Sequence, residues 1–173
     1  MGLLTTLFGG GDFVTRCPTP PSMSSVFPSA AASALDSGTL PVLNISTLIL
    51  ISGEVCHFVD KSCLLTQKTI RHTRHRNSGT SFRIAKGITY HTGGGLSSPV
   101  EEVIPVYTPG YLYITNKRVI FTAREKAFDK KLSALSALTP YSDAVGLQFG
   151  SRTFNLLVPS AYSAQRTIEL LTR

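Results

Sequence analysis

The stretch Gly110-Tyr111-Leu112-Tyr113-Ile114-Thr115-Asn116-Lys117-Arg118-Val119-Ile120-Phe121-Thr122 decides how this chain is read. Take Asn116-Lys117 as a two-residue hairpin loop. Thr115 then faces Arg118, Ile114 faces Val119, and Leu112 faces Phe121. Leu112, Ile114, Val119 and Phe121 fall on one face, and a slip of one residue would scatter them. Asn accepts the positive φ such a loop favours, although Lys is not the preferred second residue.

A second hairpin passes the same test. A type II′ loop at Gly150-Ser151 sets Leu147 opposite Phe154 and Val145 opposite Leu156. Val145, Leu147, Phe149, Phe154, Leu156 and Val158 then share one apolar face. Between the hairpins, Leu132, Leu135 and Leu138 recur at helical spacing. Ser133, Ser136, Thr139 and Pro140 weaken a helix there, and the surrounding strands favour extended chain. Beyond Val158 the pattern changes. Ala161, Ala164, Ile168 and Leu171 make a helical stripe, with Ser160 placed as N-cap.

Upstream, the runs 55–59, 63–74, 81–90 and 101–107 read as strands. Phe82, Ile84, Ile88 and Tyr90 alternate with polar neighbours, and Lys86-Gly87 marks a bulge or bend. Gly93-Gly94-Gly95 and Pro99 read as a flexible loop. The pattern is about seven short strands followed by one helix, which predicts a mainly β domain whose sheet closes or folds into two layers. Residues 1–37 form a low-complexity leader, with Gly9 to Gly11 and a Pro-, Ser- and Ala-rich run, and are expected to be poorly ordered apart from a short helix at Ser29 to Leu35. The domain is placed at 38–173.

A chain of 173 residues suits one domain, and its 16% charged residues argue against disorder throughout. No window approaches the roughly 20 apolar residues of a membrane-spanning helix. Cys17, Cys56 and Cys63 are an odd set with no framework spacing, which fits a reducing, cytoplasmic setting. The N-terminus has no basic region ahead of Leu3 to Phe8, so no secretory signal is expected. Charge is uneven: residues 1–54 hold one base and three acids, −2, and residues 55–173 hold 16 bases and seven acids, +9.

The Gly110–Thr122 run resembles the signature hairpin of GRAM and related PH-like domains, roughly Gly-x-Leu-Tyr-Ile/Leu-Thr-Asn-x-Arg-Leu/Val-x-Phe. Leu50-Ile51-Ser52-Gly53-Glu54 is similar to the entry of such domains. Lys130 to Leu135, Asp143 to Leu147 and the helix after Ser160 resemble the elements that follow. Residues from about 40 to 173 look like an uncharacterised bacterial protein group with this fold. The resemblance implies a PH-like (GRAM-like), partly open barrel of about seven strands with a C-terminal α-helix. It implies a binding module and leaves its ligand open.

Candidate ligand-binding residues are Lys68, Arg71, Arg74 and Arg76, from a run of four fixed cations and two histidines, together with Lys117 and Arg118 at the hairpin tip. On an alternating strand Lys68, His72, Arg74 and Arg76 share one face, and Arg71 and His75 share the other. The bland reading of both groups is a solvated surface and turn chemistry. The expected partner is an anionic lipid headgroup, peripheral at a membrane, or alternatively a protein; nucleic acid ranks behind both, because few aromatics interleave with the basic run.

No catalytic, cofactor or metal site is expected. Cys56-His57 and Glu101-Glu102 are adjacent pairs that point apart on a strand. The triple glycine lacks the ending of a phosphate loop. Cys56 and Cys63 are too widely spaced for a zinc pair, and His72 and His75 fall on opposite faces. Buried small apolar roles suit both cysteines better.

Overall fold

The computed structural model describes residues 20–85 and 88–173, with the side chains of 20–71 and 103–173. Helix α1 (Ser29–Asp36) precedes strands β1 (Cys56–Ala85), β2 (Ile88–Thr115), β3 (Arg118–Ala123), β4 (Phe128–Lys131), β5 (Ala137–Pro140), β6 (Ala144–Phe149) and β7 (Arg152–Leu157), and helix α2 (Ala161–Leu171) ends the chain. The seven strands form one antiparallel sheet in the order β4-β3-β2-β1-β7-β6-β5. Its end strands, β4 and β5, do not pair, so the sheet is not closed.

Both predicted registers are present. Leu112 faces Phe121 and Ile114 faces Val119; Leu147 faces Phe154 and Val145 faces Leu156. Gly110 is required where β2 meets β3, because an added Cβ would lie 2.1 Å from the Thr122 carbonyl oxygen. Gly150 has φ +60°, as the first position of a type II′ loop demands.

Two compact units divide the chain. The first comprises residues up to 66 and from 105 onward, and the second is 67–104. In the first, the apolar faces of both hairpins share a core with Leu35 of α1 and with Ala164 and Ile168 of α2. The sheet curls strongly there. The rings of Phe128 on β4 and Phe154 on β7 are 4.2 Å apart, centroid to centroid. Four strand intervals separate β4 from β7, which in a flat sheet would span about 19 Å. Asp60, fully buried on β1, pins the surrounding segments. It accepts hydrogen bonds from Ser25 Oγ at 2.8 Å, from the Val26 amide at 2.7 Å, and from Ser160 Oγ at the start of α2.

The second unit consists of the adjoining parts of β1 and β2, neighbours in the sheet order. Among the described pairings, β7 meets β1 only at 63–65 and β3 meets β2 only at 110–114. Among the described pairings, no further strand flanks the ribbon.

Several expectations are corrected. The separate strands at 55–59 and 63–74 are one strand of 30 residues. The loop expected at Gly93 to Gly95 and Pro99 lies inside β2, whose backbone is extended throughout. The bend at Lys86-Gly87 falls outside the described residues. Leu132, Leu135 and Leu138 are divided: a 3-10 turn takes Leu132–Ala134, and β5 takes Leu138. The short N-terminal helix forms. Phe27, Ala31 and Leu35, within the segment expected to be a leader, are buried in the core. Residues 1–19 of that leader are outside the described residues.

Candidate functional site

Positive φ was expected at the β2–β3 loop, yet no described non-glycine residue has it. Side chains hold that turn instead. Thr115 Oγ1, fully buried, accepts from the amides of Lys117 at 3.1 Å and Arg118 at 2.9 Å. It donates to Glu54 Oε1 at 2.7 Å. Asn116 reaches back to the same segment: Oδ1 accepts from the Val55 amide at 2.9 Å, and Nδ2 donates to the Gly53 carbonyl at 3.1 Å.

Arg118 completes the node. Its Nε donates to Glu54 Oε1 at 2.8 Å, and Nη2 donates to Glu54 Oε2 at 3.1 Å and to the Ile49 carbonyl at 2.8 Å. Nη1 donates to Asp129. The Glu54 side chain is fully buried and that of Arg118 is only 20% exposed. Burial by itself pushes the Glu54 carboxyl up. Hydrogen bonds from Arg118, the Ile51 amide and Thr115, with the Arg118 charge, outweigh that and hold it at about 2. Lys117, exposed, donates Nζ to the Ser52 carbonyl. Of the two hairpin-tip candidates, Arg118 therefore has its guanidinium engaged by the fold, while Lys117 keeps an outward position.

The other candidates lie on the ribbon. Lys68 and Arg71 are exposed residues of β1. Arg74 and Arg76 belong to the same strand, and their side chains lie outside the described residues, as do those of His72 and His75. Sequence supplies the electrostatics. Residues 67–104 contain six fixed cations (Lys68, Arg71, Arg74, Arg76, Arg83, Lys86) and two acids, Glu101 and Glu102.

Cys56 and Cys63 are free and fully buried. Burial pushes each thiol up to about 11, which keeps it protonated and unreactive at neutral pH. His57 lies against the Pro41 carbonyl, Nδ1 to O 2.7 Å. Among the described residues no three His, Cys, Asp or Glu side chains gather as metal ligands. A cleft of about 560 Å³ opens where β1 leaves β7, with Lys126 and Arg152 beside Phe128 and Phe154, and no His or Cys lines it. No helix among the described residues is long and apolar enough to cross a membrane.

Sequence reasoning missed Glu54 as the anchor of the hairpin. Its signal was the Gly53-Glu54 pair in the entry motif, but nothing local ties that pair to Thr115, 61 residues away. No protein-family model, curated protein or solved structure matches this chain.

Proposed function

We propose that this chain is a non-enzymatic, PH-like (GRAM-like) binding module that docks peripherally on an anionic lipid surface, at the cytoplasmic face of a membrane. The observation that carries the reading is the charge of the ribbon: six cations against two acids, Glu101 and Glu102, over residues 67–104, a net of +4. Each Lys or Arg held near an anionic bilayer contributes about 1 kcal/mol, and the contributions fall off within a Debye length. The exposed positions of Lys68 and Arg71 support it. The strand order, the curl of the sheet and the C-terminal helix support the PH-like assignment, and that assignment alone does not choose a ligand.

A second reading draws on the ribbon's edges. Strand edges without a described partner accept an added strand from an extended peptide, which makes a protein-interaction module the alternative.

Vesicle flotation of the full chain separates the two. Phosphatidylglycerol, cardiolipin and phosphoinositide vesicles should carry the protein at physiological salt, and neutral vesicles should not. Absence of flotation on every anionic vesicle, even at low salt, overturns the lipid reading and leaves the peptide one. A steep log–log salt slope with oligonucleotides and none with vesicles points to nucleic acid.

A further inference from the structure

Segment 43–51 carries six aliphatic residues, Leu43, Ile45, Leu48, Ile49, Leu50 and Ile51, and the fold buries none of them fully. Ile49 is 89% exposed and Ile51 54%. Single exposed aliphatics are ordinary, but exposed Ile49 and Ile51 alternate with half-buried Leu48 and Leu50 in one apolar run, the kind of surface that marks an interaction site.

The backbone beneath these side chains is clamped. Thr47 Oγ1 bonds the Tyr113 hydroxyl at 3.2 Å. The Ile49 carbonyl accepts from Arg118 at 2.8 Å, and the Ile51 amide donates to Glu54 at 2.9 Å. The polar side of the loop thus faces the node while Ile49 and Ile51 stay in water.

The charge beside the loop indicates what covers it. Lys117 donates to Ser52, and Lys131 sits across from Arg118 on β4; both lysines are exposed. With Arg118 there are three cations against the two carboxylates Glu54 and Asp129, a net of +1. A two-fold contact with a second copy would set the exposed lysines against their own equivalents. A bilayer interface instead offers phosphates to the lysines and acyl chains to the isoleucines.

We propose that loop 48–51 is an apolar wedge that enters the headgroup–acyl boundary of an anionic bilayer, an inference that rests on the membrane reading above. Its contribution depends on apolar burial and one net charge, so it persists in salt that screens the ribbon.

The chain contains no tryptophan, so Ile49→Trp places a single fluorophore on the wedge. On phosphatidylglycerol vesicles its emission should move to shorter wavelength and be quenched by lipids brominated on the acyl chain. Ile49→Ser/Ile51→Ser changes only exposed positions, so unfolding should be little affected, while vesicle partitioning in high salt falls by about tenfold or more. Flotation of the wild type with an unshifted, unquenched Ile49→Trp signal overturns the wedge and leaves the membrane reading standing. Failure of the wild type to float overturns both. A blue shift that grows with protein concentration in the absence of vesicles also overturns the wedge, because the loop would then be covered by another copy.

Discussion

Two basic regions of this molecule look alike in sequence and differ in their surroundings. At the β2–β3 turn, Arg118 meets Glu54 and Asp129, and its guanidinium also donates to a backbone carbonyl. On the ribbon, six cations stand against two acids, Glu101 and Glu102, in residues 67–104. Matched by the buried Glu54 and the exposed Asp129, Arg118 contributes to the fold, and its field is largely neutralised. Where cations outnumber acids, the excess charge builds a field that attracts an external anion. Motif and charge density therefore point in different directions: the hairpin motif marks a structural node, and the charge run is the surface we propose for binding.

The comparison can be broken at the node first. Glu54→Ala leaves the Arg118 guanidinium short of its buried partner and removes an acceptor from Thr115. Urea unfolding should show a loss of about 3 kcal/mol, and a loss near zero would mean that the node does not hold the hairpin. Arg118→Lys keeps the charge but not the two-pronged contact with Glu54, and should cost about 2 kcal/mol by the same assay.

Acid titration sharpens the same point. The folded Glu54 carboxyl sits at about 2, lowered from 4.5. Its stabilisation is therefore complete above pH 4.5 and is lost as pH falls through that interval toward 2. Glu54→Gln should flatten the fall in urea midpoint across this window, and an unchanged slope would assign the acid sensitivity to other carboxylates. Asp129→Asn, at the exposed end of Arg118, should cost only about 0.5 kcal/mol.

The smallest effect on stability is expected on the ribbon. Lys68→Ala/Arg71→Ala should leave urea unfolding within about 0.5 kcal/mol of wild type. Its binding to anionic vesicles should weaken by about 30-fold, from two lost contributions near the surface.

How much of this was legible depended on whether a local pattern carried it. Leu112, Ile114, Val119 and Phe121 fixed their own register, because one face had to be apolar. Val145, Leu147, Phe154 and Leu156 did the same around Gly150. The ribbon gave a weaker signal: Phe82, Ile84, Ile88 and Tyr90 alternate, but the run 63–74 is polar along its length, and Gly93 to Gly95 and Pro99 have the composition of a loop. Strands β1 and β2 are neighbours in the sheet order, a pairing that no local pattern announces. Phe27, Ala31 and Leu35 follow helical spacing, but the Ser, Ala and Pro around them gave the segment the composition of a tail. The node was least legible, since Glu54 and Arg118 meet across 64 residues.

The most direct test of the account sets the two basic regions against each other. Full-length wild type, Lys68→Ala/Arg71→Ala and Lys117→Ala would be floated on phosphatidylglycerol vesicles at physiological salt, with urea unfolding as the check on folding. Binding by the wild type, its loss in the ribbon variant, and a much smaller loss in Lys117→Ala are predicted. Equal binding by the wild type and the ribbon variant, with both folded, would contradict the assignment of anion binding to the ribbon.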